Sequence, residues 1–350
     1  MELDYFLTAI SSEAGVSGHE HALAELLKKE FGKWADSVET DKIGNLVAFK
    51  KGSDNSSSLQ ILLAAHMDEI GLMVTKIEKE GFLRFTTVGG IDPRTLLGQE
   101  VTVHGREQVW GVIGVLPPHI NKLWPAKDKV EIEDLLIDTG LQEDALKKVV
   151  RIGDVISIKR EPLRLLGNNL AGKALDDRAG VAALLVCLKK LNKVKHTSDV
   201  FLTMTSQEEV GTRGAVVAGY RLEPDFAVAV DVCHGNFPGA QEHEVSPLGA
   251  GPVISIGPNI HPRVEKILEK AAEKHRIPFN VDVFPGPTPT DARAFQISKT
   301  GIPTGLVSIP LRYMHTSVEV VNTKDIELAG ELLAAFVCSF PDALKEDSYA

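Results

Sequence analysis

The sequence predicts an α/β fold in which helices cover a sheet and a small β unit is inserted. Three observations support this. The segment 59–65 is almost wholly apolar, as expected of a strand buried on both faces. Residues 72–159 contain short, closely spaced strand patterns, most of them separated by glycine-bearing turns. From residue 172 onward, helical and strand patterns alternate, which is typical of a sheet with helices packed on it.

The N-terminal part predicts two helices and two strands. Residues 3–10 have apolar side chains at helical spacing. The segment Ser17–Glu20 has the pattern of a capping box, which predicts a second helix with Ser17 as its N-cap. A strand is predicted at 46–49, and the polar run 53–58 has the composition of a surface turn before the buried strand.

The middle of the chain predicts a small β-barrel or sandwich. Its strand patterns lie at 72–77, 82–87, 100–103, 109–115 and 155–159. One helix is predicted among them at 142–150. We therefore expect a β domain at 70–163, inserted into an α/β catalytic domain formed by residues 1–69 and 164–350. We expect the insertion to add nothing to the metal site and to serve in subunit contacts.

The C-terminal half supplies the rest of the α/β domain. Helices are predicted at 178–191, 264–275, 292–298 and 324–338. Strands are predicted at 200–205, 226–230, 279–284 and 305–309. Together with the strands before residue 70, they predict one sheet built from both ends of the chain.

Composition disfavours several classes of protein. The net charge of −10 disfavours nucleic acid as a partner. The apolar stretches are only strand-length, so no membrane span is expected, and the N-terminus lacks the pattern of a signal peptide. Cys187, Cys233 and Cys338 lie far apart and form no Cys-x-x-Cys pair, which fits a reducing environment. We therefore expect a cytoplasmic protein.

Four predicted strands each bring a metal-binding type of residue to the carboxyl end. In chain order these residues are His66, the pair Glu208 and Glu209, Asp231, and His315. In open α/β sheets this edge is where binding sites form. Any one of these residues alone is more often a cap or a surface residue, but four equivalent positions together predict a metal site.

Asp176 adds a fifth candidate ligand. Asp177 has the position of an N-cap for the helix that starts at Arg178, which leaves Asp176 free to point into the cleft. Two imidazoles and three carboxylates suit Zn²⁺, Co²⁺ or Mn²⁺ better than Ca²⁺. If Asp176 bridges two ions, three protein ligands hold each: His66, Asp176 and Asp231 for one, and Asp176, Glu209 and His315 for the other.

Glu208 and Asp68 are predicted to act beside the ions. Adjacent residues at a strand end point in different directions, so Glu209 can bind metal while Glu208 faces the reacting water as general base. Asp68, two residues after His66, can accept the free ring N–H of His66 and fix its tautomer. Two divalent ions in such a centre would activate water and polarise a carbonyl.

At these residues the sequence resembles the TET-type, or tetrahedral, aminopeptidases, also known as glutamyl aminopeptidases, deblocking aminopeptidases or cellulase-M proteins. The matching segments, in order along nearly the whole chain, are Ala65–Gly71, Gly90–Arg94, Gly172–Arg178, Ser206–Gly211, Val230–Val232 and Arg312–Thr316. The resemblance implies a phosphorylase/hydrolase-like α/β domain, with helices on both faces of its sheet, and a PDZ-like β insertion. It also implies dimers, which often assemble into hollow dodecamers.

The resemblance implies the same roles as the spacing. The dinuclear ligands would be His66, Asp176, Glu209, Asp231 and His315, with Asp176 bridging. Glu208 would be the base and Asp68 would orient His66. The resemblance also implies a cis peptide bond between Asp176 and Asp177. The segment Pro285–Pro289 departs from the family's glycine-rich pattern, so the family's substrate preference is not carried over.

The sequence therefore predicts an aminopeptidase that uses two divalent ions, Zn²⁺ or Co²⁺ and as a third option Mn²⁺, to hydrolyse peptides. We expect a preference for neutral, apolar first residues, because Arg293 is more simply interpreted as a solvated helix residue. One alternative is a glycoside hydrolase, but such enzymes need two carboxyl groups flanking a sugar bond, and the carboxylates here serve metals. Another is a non-catalytic, metal-stabilised scaffold, against which the presence of Glu208 argues.

Overall fold

The computed structural model describes residues 2–53, 59–117, 120 and 130–346, with side chains of the last helix described up to residue 339. Beyond Ser53, the predicted turn at 53–58 lies outside the described residues. The N-terminal part contains α1 (Leu3–Ser12), α2 (His21–Phe31), β1 (Ser37–Thr40), β2 (Leu46–Lys50) and β3 (Gln60–His66).

The middle of the chain forms a closed six-stranded barrel. Its elements are β4 (Gly71–Ile77), β5 (Phe82–Val88), β6 (Glu100–His104), β7 (Gln108–Val115), β8 (Leu135–Asp138), α3 (Glu143–Val149) and β9 (Val155–Ile158), with short 3₁₀ turns at Pro93–Leu96 and Ile132–Asp134. The strands are antiparallel in the order β4-β5-β8-β7-β6-β9. Inward-facing residues such as Leu72, Val103 and Ile156 are fully buried in a core of the barrel's own.

The remaining elements follow the barrel. They are β10 (Leu163–Arg164), β11 (Asn169–Gly172), α4 (Leu175–Leu191), β12 (Asp199–Thr205), α5 (Arg213–Leu222), β13 (Phe226–His234), a 3₁₀ turn at Glu242–Glu244, β14 (Val253–Ile256), α6 (Pro262–His275), β15 (Asn280–Val283), α7 (Asp291–Gln296), β16 (Thr304–Arg312), β17 (Glu319–Asn322) and α8 (Thr323–Glu346).

These strands and the first three form an eleven-stranded mixed sheet in the order β1-β2-β12-β3-β13-β16-β17-β11-β10, with β14 and β15 attached beside β16. Alternate side chains of β3 enter two different cores, because side chains alternate across a strand. Ile61 and Leu63 pack in the layer that contains α4 and α8. Leu62 and Ala64 pack against α5 and α7. Helices thus cover both faces, and the predicted fold class is confirmed.

Two local predictions need correction. The residue at the N-cap position of α2 is Glu20, not Ser17, and its side chain forms no capping hydrogen bond. The side chains of Ser17 and Glu20 instead form hydrogen bonds with Asp68 and with the main chain of Gln207, both distant in sequence. Strand β13 continues through Asp231 to His234, because its last residues still pair with β16.

Across the described part of the chain, no helix combines the length and apolar character needed to cross a membrane.

Candidate metal centre

Four neighbouring strands bring the predicted residues to one edge of the sheet. Strands β12, β3, β13 and β16 lie side by side and are mutually parallel. His66 is the last residue of β3, and Asp231 lies near the end of β13. Glu208 and Glu209 follow β12, and His315 follows β16. Because parallel strands end at the same edge, these side chains meet there.

Asp176 lies between the two histidines. Its Oδ1 is 3.1 Å from Nε2 of His66, and its Oδ2 is 3.3 Å from Nε2 of His315. Nε2 of His315 is also 3.6 Å from Oε1 of Glu209. Two sets of ligand-type atoms result, each lying within 4.8 Å of one another. We call His66, Asp176 and Asp231 the first cluster, and Asp176, Glu209 and His315 the second cluster.

The start of α4 places Asp176 in the cleft. The peptide bond between Asp176 and Asp177 is cis, as the resemblance implied. Regular helical backbone begins only at Arg178, and Oδ1 of Asp177 accepts the N–H of Gly180 at 3.0 Å. The predicted N-cap role of Asp177 is therefore confirmed. Its other oxygen accepts the main-chain N–H of His66 at 3.2 Å, which ties the helix start to β3.

Glu319 holds both ends of the second cluster, and sequence reasoning did not identify it. Its Oε2 accepts the main-chain N–H of Leu175 at 2.7 Å and that of Asp176 at 3.1 Å. Its Oε1 accepts the N–H of His315 at 2.9 Å. His315 has left-handed backbone with φ of 60°, a conformation that a non-glycine residue keeps only when its surroundings hold it.

Asp68 organises the loop that carries Glu208 and Glu209. It is fully buried, and its two oxygens accept the main-chain N–H of Glu208 at 2.9 Å and that of Glu209 at 3.2 Å. The Ser17 hydroxyl donates to it at 2.6 Å. Nδ1 of His66 lies 3.2 Å from the carbonyl oxygen of Asp68 and 3.5 Å from its carboxylate. The ring therefore faces Asp68 on one side and Asp176 on the other.

Glu20 supports the same loop from the N-terminal segment. Its Oε1 accepts the N–H of Gly18 at 2.7 Å and that of Gln207 at 3.1 Å. Gln207 has left-handed backbone with φ of 56°, immediately before Glu208. The pattern that resembled a capping box thus belongs to the support of this loop.

The carboxylates of the centre repel one another in a buried space. Burial raises the pKa of Glu208 to about 10 and that of Glu209 to about 7, and neighbouring carboxylates add to both shifts. Burial also raises the pKa of Asp231 well above its ordinary value. The exception is Asp176, where the hydrogen bonds with His315 and His66 outweigh burial and lower the pKa.

This arrangement fits divalent cations. Within the described ranges, no lysine or arginine forms an ion pair with Asp176, Asp231, Glu208 or Glu209, so positive charge must come from elsewhere. Buried carboxylates without cationic partners are costly, and metal ions relieve that cost. The mixture of imidazole and carboxylate donors suits Zn²⁺, Co²⁺ or Mn²⁺.

The centre opens into a cavity of about 1020 Å³. Its walls include apolar residues such as Val216 and Ile297, and also Thr290 and Arg293 from the segment after the proline-rich loop. Among the described residues, Arg293 has no ion-pair partner. Gly90, two residues after β5, also lines the cavity, although among the described residues neither cluster includes a residue of the inserted unit.

The fold and the candidate metal centre together are typical of one class of protein, the aminopeptidases with a TET-type fold. The structure is similar to an aminopeptidase from the archaeon Desulfurococcus kamchatkensis, with a TM-score of 0.91, 38% identity and coverage of 99% of this chain and 98% of the other. It is also similar to a TET1 peptidase from Pyrococcus horikoshii, with a TM-score of 0.84, 34% identity and coverage of 96% and 99%.

The particular family follows from the sequence comparison. The M42 glutamyl aminopeptidase model matches residues 44–332, and the chain belongs to that family. A lysyl aminopeptidase from Pyrococcus furiosus is 36% identical over 335 residues, which cover 94% of each chain. The predicted enzyme class, an aminopeptidase, is confirmed, and the glycoside hydrolase alternative is not favoured. The family is one of metallopeptidases, in accord with the two ligand clusters.

Proposed function

We propose that this chain removes the N-terminal residue of peptides with two divalent ions, one in each cluster. The observation that carries the proposal is the placement of Asp176, whose two carboxylate oxygens face different histidines. One carboxylate can therefore serve both ions. His66 and Asp231 complete the first set of ligands, and Glu209 and His315 complete the second.

Glu208 acts as the general base in this proposal. When bound, the two ions would polarise the scissile carbonyl and lower the pKa of the attacking water. Glu208 lines the cavity beside the ligands without belonging to either cluster, so its carboxylate is free to accept the proton of that water and deliver it to the leaving amine. Asp68 fixes its position through the main-chain N–H groups of Glu208 and Glu209.

The substrate is a peptide with a free amino terminus. The cavity has a wall that includes the apolar residues Val216, Ile297 and Leu306, which favours a neutral first side chain. Arg293 is the residue that would alter this preference. Because it has no ion-pair partner within the described part of the chain, an acidic first residue could pair with it, which makes glutamyl peptides the informative comparison.

The metal identity, assembly and location complete the proposal. Zn²⁺ or Co²⁺ suits the donors best, with Mn²⁺ as the third option. The TET1 peptidase of Pyrococcus horikoshii assembles into a tetrahedron or a larger octahedral shell. By analogy we propose that this chain forms a homo-oligomer, at least a dimer and by extension a dodecamer, with the domain at 70–163 taking part in subunit contacts. Its three free cysteines fit a cytoplasmic location.

The test compares hydrolysis of leucyl, lysyl and glutamyl peptides, free and N-acetylated. The metal-free protein should be inactive and should regain activity with Co²⁺, Zn²⁺ or Mn²⁺. Glu208→Gln should lower kcat by roughly 10²–10⁴ while metal content stays at the wild-type level. Glu30→Gln is the matched control, because Glu30 is also buried but lies on α2, outside both clusters and the cavity wall.

Two outcomes would contradict the proposal. Equal rates on free and acetylated leucyl peptides would end the assignment to aminopeptidases. Loss of a metal ion in Glu208→Gln, with both ions retained in Glu209→Gln, would mean that the two glutamates have exchanged roles.

A further inference from the structure

The turn Gly89–Gly90 at the end of β5 lies directly against the second cluster. A Cβ atom added to Gly90 would lie 3.1 Å from Nδ1 and 3.4 Å from Cε1 of His315, and these are the only heavy atoms of the described residues within 4 Å outside its chain neighbours. A Cβ atom added to Gly89 would lie 3.4 Å from Oε2 of Glu209 and 2.8 Å from Ile70. The turn therefore faces Glu209 and His315, the two residues that belong to the second cluster alone.

The barrel holds this turn in place on both sides. Before it, Val88 pairs with Gly71 in the barrel sheet. After it, Ile91 packs against the barrel core. Asp92 then caps the short 3₁₀ turn Pro93–Leu96 by accepting the N–H of Arg94 at 3.0 Å. With both ends fixed, the turn cannot move away from His315 without moving part of the barrel.

We propose that Gly89–Gly90 is a positioning element of the second metal site, through which the inserted barrel determines how tightly that site binds its ion. This inference rests on the proposed two-ion function. A Cβ atom at position 90 would approach Nδ1 of His315 more closely than most side chains pack, so the ring would have to shift by a few tenths of an ångström relative to Asp176 and Glu209. The first cluster is unaffected, because His66 and Asp231 are not among the groups that meet the turn.

The experiment measures binding of Zn²⁺ and Co²⁺ to metal-free protein by calorimetry and by metal analysis, without reference to activity. Gly90→Ala and Gly90→Val should weaken binding of one ion by about 10–100-fold, the usual effect of disturbing a group that orients a ligand, and leave the other ion at wild-type affinity. The matched control is Gly114→Ala, on β7 of the same barrel, because a Cβ atom there meets nothing within 4 Å.

The competing outcomes are separable. Wild-type affinity for both ions in Gly90→Val, or in Gly90→Ala if the valine variant does not fold, would overturn the inference and leave the proposed function intact. Equal weakening of both ions would also overturn it, since the effect would then not be specific to the second cluster. A wild-type protein that binds only one ion would defeat the two-ion function, and the inference with it.

Discussion

The two ligand clusters share Asp176 but differ in how the fold holds them. His66 is the last residue of β3 and its side chain is 2% exposed, whereas His315 lies on a loop and its side chain is 37% exposed. Asp231 lies within β13, whereas Glu209 lies on the loop after β12. Gln207, two residues before Glu209, has left-handed backbone. The first cluster is built on strands, and the second is built on loops.

This difference determines what each cluster depends on. Strand residues are fixed by ladder hydrogen bonds and by the cores on both faces of the sheet. The loop residues of the second cluster are fixed by separate contacts from Glu319, Asp68 and the Gly89–Gly90 turn. The second cluster should therefore be the more sensitive to changes outside the ligands themselves.

The largest effect is expected from the residue that the clusters share. Asp176→Ala should abolish tight binding of both ions, because each cluster then keeps only two ligands. Peptidase activity should fall to that of the metal-free wild type. Metal analysis after dialysis checks this, with Glu30→Gln as the buried-carboxylate control. One ion retained at wild-type affinity would show that Asp176 is not shared.

The next prediction separates the clusters by affinity. In wild-type protein the buried first cluster should bind its ion more tightly than the second, because charges interact more strongly away from water. His315→Ala should remove the weaker binding step, and Asp231→Asn should remove the stronger one. Stepwise titration with Co²⁺ measures both. If Asp231→Asn removed the weaker step instead, the ranking of the clusters would be wrong.

The strand-built residues could be predicted from sequence, and the supporting residues could not. A buried apolar strand followed by His66 is a local pattern, and Asp231 stands in the same relation to its strand. Glu319 acts through main-chain groups more than 140 positions earlier in the chain at Leu175 and Asp176, so no local spacing reveals it. Gly90 lies in the family-matching segment Gly90–Arg94, but its closeness to His315 follows only from how the barrel meets the sheet.

Glu319 allows a more specific test of the second cluster. Glu319→Gln replaces one accepting oxygen with a donating NH₂ group that faces main-chain N–H groups, so Asp176 or His315 must shift. Binding of the second ion should weaken by about 10–100-fold, with a smaller change for the first. Asp325→Asn is the control, because Asp325, on α8, is also buried and accepts the main-chain N–H groups of Gly249 and Gly251. Equal effects of both variants would indicate general destabilisation.

The smallest effect concerns Glu20, which supports the loop of Glu208 and Glu209 from the other side. Burial raises the pKa of Glu20 from 4.5 to about 7. Between about pH 4.5 and about pH 7, the Glu20 carboxyl therefore stays protonated in the folded protein but ionises in the unfolded chain. The corresponding stabilisation is complete below about pH 4.5 and is lost as the pH rises to about 7.

Glu20→Gln should remove this component of the pH dependence, because glutamine keeps an oxygen that accepts the N–H of Gln207 but does not titrate. The measurement is the free energy of unfolding of metal-free protein in urea at several pH values, taken as wild type minus variant. That difference should fall as the pH rises from about 4.5 to about 7 and stay constant above it. A difference that does not change with pH would mean that Glu20 ionises in the folded protein as it does in the unfolded chain.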